Sequence, residues 1–182
     1  MSPRLADIEN LFRDHGHLAY SGEGVTQLEH ALQAAQLAEL EGVGPELITA
    51  ALLHDLGHLL NPQGETPTER GIDDHHQYFA IPYLRPHFPP AVVEAIRLHV
   101  DAKRALCALE PHYYEALSPD SQRSLTLQGG IFSRAEADAF MAKPFAASAL
   151  RLRRWDDRAK VPGATTPAIG HFLEIAARCV SR

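Results

Sequence analysis

Apolar residues recur along this chain at the three- and four-residue spacing of an α-helix, and the alternation typical of strands is almost absent. The apolar positions of residues 5–12 share one helical face. They follow Ser2 and Pro3, which can begin a helix, and precede Gly16, which can end it. The pattern predicts an all-α protein.

Helix start and stop signals divide the rest of the chain into further helices, roughly eight in all. Two capping boxes, in which a Ser or Thr is followed three residues later by Glu, begin at Thr26 and Ser133. The other predicted starts are Gly44–Pro45, Asp73 or Asp74, Pro89–Pro90, Ser118–Pro119 and Thr166–Pro167, with one more helix through residues 151–160. No repeat, low-complexity segment or long linker interrupts the series, so we expect one domain over residues 1–182.

The third predicted helix carries two histidines and an aspartate within the aliphatic stretch AALLHDLGHLL, residues 50–60. A buried charge without a partner costs several kcal/mol or more, and a neutral imidazole also needs hydrogen bonds. Adjacent helical residues point about 100° apart, so His54 and Asp55 can reach one wide face. His58 lies one turn beyond His54. Either these side chains satisfy one another or a bound metal satisfies them.

Other residues suited to a metal lie on separate predicted helices: His30, His76 and His99, with Asp156 far downstream. Neutral imidazoles and carboxylates suit iron, zinc and manganese, and a carboxylate can bridge two ions. A single buried histidine is more simply a hydrogen-bonded core residue. The adjacent pair His54–Asp55 favours a metal more strongly, because two polar groups must be satisfied together.

Composition narrows the possible partners. The net charge is −6, so no basic surface indicates nucleic acid or an anionic membrane, and an anionic substrate would need a local positive site. No apolar run approaches the length of a membrane span, and the first residues lack the apolar core of a signal peptide. Cys107 and Cys179 form no metal or redox motif. We therefore expect a cytoplasmic protein with reduced thiols, without a nucleic-acid or membrane partner.

His30, the His54–Asp55 pair and Asp156 resemble the metal-binding signature of the HD-domain superfamily, in which most members are phosphohydrolases, and HDLGH is similar to its HDxGH form. His76 and His99 match the two further histidines of members that bind two metals. The resemblance narrows further. The segments YSGEGVTQLEHALQAAQLA, AALLHDLGH, LHVDAKRAL, LSPDSQRSLTLQGG and LRRWDDRAKVPG resemble, in order, the HD-domain mixed-valent diiron oxygenases that cleave organophosphonates. Myo-inositol oxygenase is a more distant relative of this family.

The resemblance implies a helical HD-domain fold around a buried dinuclear site that holds an Fe(II)/Fe(III) pair. The implied ligands are His30, His54, Asp55, His76, His99 and Asp156, with Asp55 bridging the irons. Two assignments have neighbours as alternatives, His75 and Asp157. We expect His76 from its spacing to Tyr83–Leu84, and Asp156 from the preceding Arg-Arg-Trp.

The resemblance also implies a substrate site. The expected reaction uses O2 to cleave the C–P bond of 2-amino-1-hydroxyethylphosphonate or its trimethylammonium analogue, releasing phosphate and glycine or glycine betaine; hydroxymethylphosphonate also fits the phosphonate end. The residues expected to contact the substrate are His58, Lys103, Ser121, Arg153 and Glu23. Lys103 lies one turn beyond His99 and Arg153 three residues before Asp156, so each shares a face with a ligand. Glu23 is expected to face the substrate amine, and Tyr20 to occupy an iron position until substrate displaces it.

Several alternatives stay open from the residues alone. Lys103 and Arg153 can be solvated surface residues, the segment around Tyr20 and Glu23 can be an exposed turn, and Ser121 can be part of a helix cap. At the level of function, the alternatives are a metal-dependent phosphohydrolase that acts on a small phosphate ester and a non-catalytic HD-like binding or sensor domain.

Overall fold

Helices form the regular structure of this protein in a computed structural model that describes residues 3–20, 22–62, 64, 67–73 and 75–180. The α-helices are α1 Pro3–His15, α2 Gln27–Leu40, α3 Pro45–Leu53, α4 Leu56–Leu60, α5 His76–Leu84, α6 Pro90–Leu109, α7 Tyr113–Ala116, α8 Pro119–Leu127, α9 Arg134–Met141, α10 Ala146–Arg158 and α11 Ile169–Ala177. A 3₁₀ helix spans Pro67–Arg70. Within these described ranges the extended structure is one isolated bridge, Ala19 to Thr26. The all-α prediction is confirmed.

Side-chain caps fix the starts of several helices where the sequence predicts them. The capping boxes of Thr26 with Glu29 and of Ser133 with Glu136 are both complete. The hydroxyl of Ser118 caps α8. Each cap provides an acceptor for a backbone N–H that the helix itself leaves without a partner. These three helices therefore begin where local chemistry requires.

The predicted third helix is in fact two helices, and this expectation was wrong. Helix α3 ends at Leu53 and α4 begins at Leu56, because Asp55 leaves the helical conformation at φ −103° and ψ 13°. The Asp55 carboxylate makes no capping hydrogen bond, so it stays available for other partners. Helix α4 also lies very close to α5: a Cβ on Gly57 would lie 1.8 Å from the carbonyl oxygen of His76.

The start of α5 also differs from the prediction. The helix begins at His76, after His75 in the left-handed region at φ 49°. Asp73 accepts a hydrogen bond from the backbone N–H of His75 instead of capping the helix. Ser2 and Asp74, two other residues at predicted helix starts, lie outside the described residues.

Short helices occupy two segments that carry no predicted helix, the 3₁₀ helix and α7. At the C-terminal end, α11 begins at Ile169 rather than at Thr166. A helix of four residues is too short to show an apolar periodicity that could be recognised in the sequence. Such helices are stabilised by tertiary packing rather than by a local pattern.

Helix α6 lies at the centre of the fold and packs against α3, α5, α9 and α10. Its apolar residues contribute to the main core with α1–α3, α5, α10 and α11, and to a second cluster around Phe140 and Ala149. Buried polar side chains of α2, α5, α6 and α10 meet those at the junction between α3 and α4. No helix among the described residues combines the length and the apolar character needed to cross a membrane.

Candidate metal centre

Four histidines and two aspartates, each at most 9% exposed, meet where these helices converge. They are His30 on α2, His54 and Asp55 between α3 and α4, His76 at the start of α5, His99 on α6 and Asp156 on α10. The structure therefore brings together all six residues that the family resemblance implies as ligands.

The six side chains form two groups that share one carboxylate. The first group is His30, His54, Asp55 and Asp156, and the second is Asp55, His76 and His99; within each group the ligand atoms lie within 4.8 Å of one another. Asp55 Oδ2 lies 3.5 Å from His30 Nε2 and 3.4 Å from His54 Nε2. Its Oδ1 lies 3.3 Å from His76 Nε2 and 3.7 Å from His99 Nε2. Each oxygen of Asp55 thus faces a different pair of imidazoles, as a bridging carboxylate must.

The imidazoles of His30 and His54 are oriented for a cation. Their Nδ1 atoms donate to the carbonyl oxygens of Ala159 and Ala51, each at 2.8 Å, so the Nε2 atoms of the neutral rings carry lone pairs. Those two Nε2 atoms face each other at 3.1 Å. Two ligand nitrogens bound to one metal at about 2.1 Å and a right angle are separated by about 3 Å. The donor set and its spacing therefore fit a divalent metal.

The charges of the cluster also suit a metal. Burial alone would raise the pKa of Asp156, but Arg153, whose Nη1 lies 2.6 Å from Asp156 Oδ2, and the neighbouring histidines hold that pKa well below its usual range. Burial lowers the pKa of His54, but Asp55 and Asp156 outweigh it and raise the value to about 8, so a metal bound here would take the place of the Nε2 proton. Burial and the nearby imidazoles lower the pKa of His99 to about 3. Ionised carboxylates and a neutral His99 are the forms that ligate metals.

The alternative ligands lie outside both groups. The ring of His75 is 60% exposed, with Nδ1 3.2 Å from Asp73 Oδ2. Asp157 accepts hydrogen bonds from Arg153 and from the hydroxyl of Tyr113. The geometry therefore favours His76 and Asp156 over their neighbours.

A cavity of about 50 Å³ lies beside the cluster, and basic and hydroxyl side chains line it. Lys103 is only 2% exposed; its Nζ donates to Ser124 Oγ at 2.6 Å and to the carbonyl oxygen of Ser121 at 3.5 Å. Burial, and then the adjacent Arg153, lower the pKa of Lys103 to about 7. Because Lys103 and Arg153 are both buried, the solvated alternatives for them are wrong.

Arg153 has unused hydrogen-bonding capacity in this wall. Its terminal nitrogens bind Asp156 and Asp157, and one of them also donates to Ser121 Oγ at 3.4 Å. Its buried Nε has no hydrogen-bond partner among the described residues. The Oε1 atom of Gln128, another residue that lines the cavity, is also buried without such a partner. Buried polar atoms normally have partners, so these atoms are consistent with a polar ligand in the cavity.

Tyr20 and His58 line the cavity beside the six candidate ligands, which are called the metal-ligand cluster below. The Tyr20 ring stacks on His30 with centroids 3.9 Å apart, and its hydroxyl lies 3.5 Å from Asp156 Oδ1. Burial, with the charges of Asp55 and Asp156, raises the pKa of Tyr20 well above its usual value, so the group is a neutral phenol. His58 stacks on His76 at 4.3 Å, and its Nε2 lies 3.8 Å from Asp55 Oδ2.

Glu23 occupies a different environment from the other predicted substrate residues. It is not among the residues that line the cavity. Its carboxylate accepts hydrogen bonds from Lys160, at 3.0 Å, and from the Ser118 hydroxyl. Lys160 and Ser124 are two further residues near the cavity that were not predicted from the sequence. The available signals were the place of Lys160 in LRRWDDRAKVPG, four residues after Asp156, and the one-turn spacing of Ser124 from Ser121.

Comparison with known proteins identifies the family. The HD domain model matches residues 28–140. The hydroxymethylphosphonate dioxygenase of Gimesia maris is 44% identical over 178 residues, which are 97% of this chain and 88% of that protein. This chain belongs to the HD-domain phosphonate dioxygenase family. The [1-hydroxy-2-(trimethylamino)ethyl]phosphonate dioxygenase (glycine-betaine-forming) of Leisingera caerulea is 36% identical over 96% of this chain and 89% of that protein. An uncharacterized protein of Acanthamoeba polyphaga mimivirus is 34% identical over 92% and 78%.

Membership of this family confirms the resemblance found in the sequence motifs. The HD domain match ends at residue 140, so Arg153 and Asp156 lie on a helix beyond it. The similarity to the two dioxygenases covers nearly the whole chain. The similarity to these dioxygenases therefore includes α10 as well as the segment that the HD domain model matches.

Proposed function

We propose that this protein is an Fe(II)/Fe(III) diiron dioxygenase that cleaves the C–P bond of a 1-hydroxyphosphonate. The proposal is supported above all by the two ligand groups that share Asp55, beside a cavity whose wall contains the buried cations Lys103 and Arg153. The 44% identity to a hydroxymethylphosphonate dioxygenase supports the reaction class.

In this proposal, His30, His54, Asp55 and Asp156 hold one iron, and Asp55, His76 and His99 hold the other. Four neutral imidazoles and two carboxylates bring two negative charges against the five positive charges of the ions, so the centre stays cationic and attracts a phosphonate dianion. When bound, the iron pair supplies the redox and Lewis-acid chemistry that activates O2 and polarises the substrate hydroxyl.

The chain's own residues bind and orient the substrate. Lys103, Arg153, His58 and Ser121 line the cavity and can donate hydrogen bonds to the phosphonate oxygens. Because the pKa of Lys103 is about 7, binding of a dianion favours its protonated form. The Tyr20 ring covers the cluster and limits the access of water until substrate enters.

The overall reaction balances with O2 as the oxidant. Hydroxymethylphosphonate and one O2 give formate, phosphate and one proton: the C–P bond breaks, C1 and phosphorus each gain an oxygen, and O2 accepts four electrons. The amino and trimethylammonium analogues would give glycine and glycine betaine in the same way. A phosphohydrolase, in contrast, cleaves a P–O bond of an ester with water and consumes no O2.

The test uses protein reconstituted anaerobically with iron. We expect about two irons per chain and a mixed-valent EPR signal, followed by phosphate release from hydroxymethylphosphonate in air. A matched phosphate ester, 2-hydroxyethyl phosphate, serves as the control and should release none. Protein that contains no iron, gives no such signal and hydrolyses the ester would support the phosphohydrolase instead.

A further inference from the structure

The ammonium group of Lys160 connects Glu23, in the turn that follows Tyr20, to the start of α8. Lys160 Nζ donates to Glu23 Oε1 at 3.0 Å, to Ser118 Oγ at 3.3 Å and to Ser121 Oγ at 3.3 Å. The same nitrogen lies 5.6 Å from the centre of the Tyr20 ring. The Lys160 side chain is 11% exposed, and its three N–H donors match the three acceptors.

Lys160 therefore stands between the Glu23 carboxylate and the cavity wall. On one side its ammonium contacts Ser121, which lines the cavity, and on the other it contacts Glu23, which does not. A carboxylate paired this closely with an ammonium presents little net negative charge to a third group. The turn that carries Glu23 is thus neutralised from within the protein.

The other carboxylates that line the cavity outside the metal-ligand cluster also have hydrogen-bond partners. Asp120 accepts hydrogen bonds from the Thr68 hydroxyl and from Arg123 Nη2, the latter at 3.3 Å. Asp73 Oδ2 lies 3.2 Å from His75 Nδ1. Outside the metal-ligand cluster, each carboxylate that lines the cavity among the described residues therefore already accepts a hydrogen bond. An ammonium group on a substrate would therefore have to compete with the contacts that these carboxylates already make.

Resting on the proposed function, we propose that Lys160 sets the charge preference of the substrate site. By neutralising Glu23, it selects 1-hydroxyphosphonates that lack a cationic group, such as hydroxymethylphosphonate, over their ammonium analogues. Loss of Lys160 frees the Glu23 carboxylate beside Ser121 and opens space toward it, which favours the ammonium substrate.

The test compares the Kd values of hydroxymethylphosphonate and 2-amino-1-hydroxyethylphosphonate, measured by calorimetry on iron-loaded protein without O2. We expect the wild type to bind hydroxymethylphosphonate at least tenfold more tightly. In Lys160→Ala this ratio should fall at least tenfold. Both ligands carry the same phosphonate, so a general loss of positive charge cancels in the ratio. The double variant Lys160→Ala/Glu23→Gln should return the ratio to near the wild-type value. Lys143→Ala, which removes an exposed lysine, is the matched control and should leave it unchanged.

Three results would overturn this inference. The ratio could be unchanged in Lys160→Ala, it could fall equally in the double variant, or the wild type could prefer the ammonium ligand. If Lys160→Ala does not fold by circular dichroism, Lys160→Met removes the charge at similar volume and is judged by the same ratio. If the wild type binds none of these ligands and oxidises none in air, the proposed function itself has failed, a result that the titration separates from failure of the inference.

Discussion

Replacement of Lys103 by Met is the variant whose effect follows most directly from the structure. Lys103 is 2% exposed, and its Nζ donates to Ser124 Oγ at 2.6 Å in the cavity wall. It belongs to neither metal-ligand group. Methionine keeps most of the volume and removes the ammonium. The change should therefore weaken phosphonate binding and leave the iron content as it was.

The expected size comes from one charge-assisted hydrogen bond. Hydrogen bonds to charged groups contribute about 1.5–3 kcal/mol. At about 1.4 kcal/mol for each factor of ten, the Kd for hydroxymethylphosphonate should rise roughly 10- to 100-fold. The advantage of the wild type should be greatest below pH 7 and decrease above it, because burial lowers the Lys103 pKa to about 7 and a neutral amine must first take up a proton.

Anaerobic calorimetry measures the Kd, and metal analysis of the same sample measures the iron. Lys143→Met is the control for a lysine that does not line the cavity, with a side chain that is 45% exposed. Loss of iron in Lys103→Met would contradict its assignment to the substrate site. An unchanged Kd would refute the argument from charge.

Three further predictions concern the metal-ligand cluster and the close contact between α4 and α5 beside it. Asp55→Asn should lower the iron content from about two to below one per chain by metal analysis, because each Asp55 oxygen faces a different pair of histidines. Gly57→Ala should lower the free energy of unfolding by about 1–3 kcal/mol in urea titrations, since the new Cβ meets the His76 carbonyl at 1.8 Å; stability equal to the wild type would disprove that close approach. Removal of iron with a chelator should lower the melting temperature, reversibly, because a ligand at about 100 times its Kd stabilises the folded state by about 2.7 kcal/mol; an unchanged melting temperature would argue against a structural contribution of the metal.

Much of the fold could be predicted from local sequence. Capping boxes and apolar periodicity locate α2, α6, α8 and α9, since these signals act within one or two helical turns. The break at Asp55 could not be predicted in this way. Helix propensities differ by only tenths of a kcal/mol, too little to decide against tertiary contacts such as that between Gly57 and His76.

The residues of the substrate site were harder to predict from local sequence, because their burial and pairing depend on tertiary structure. The other arginines of α10, Arg151, Arg154 and Arg158, favour a surface assignment for Arg153. Arg153 is nevertheless buried, because it lies on the same face of α10 as Asp156, and that face lines the cavity. The pair Lys160–Glu23 joins residues separated by 137 positions, so no local pattern can reveal it. The family resemblance implies the six candidate metal ligands, but the contact between Glu23 and Lys160 is visible only in the fold.

The most direct test of the central claim is simultaneous measurement of O2 uptake and phosphate release from hydroxymethylphosphonate by iron-loaded protein. The proposed reaction requires one O2 consumed for each phosphate released, and no phosphate without O2. Release of phosphate at the same rate under anaerobic conditions would contradict the account.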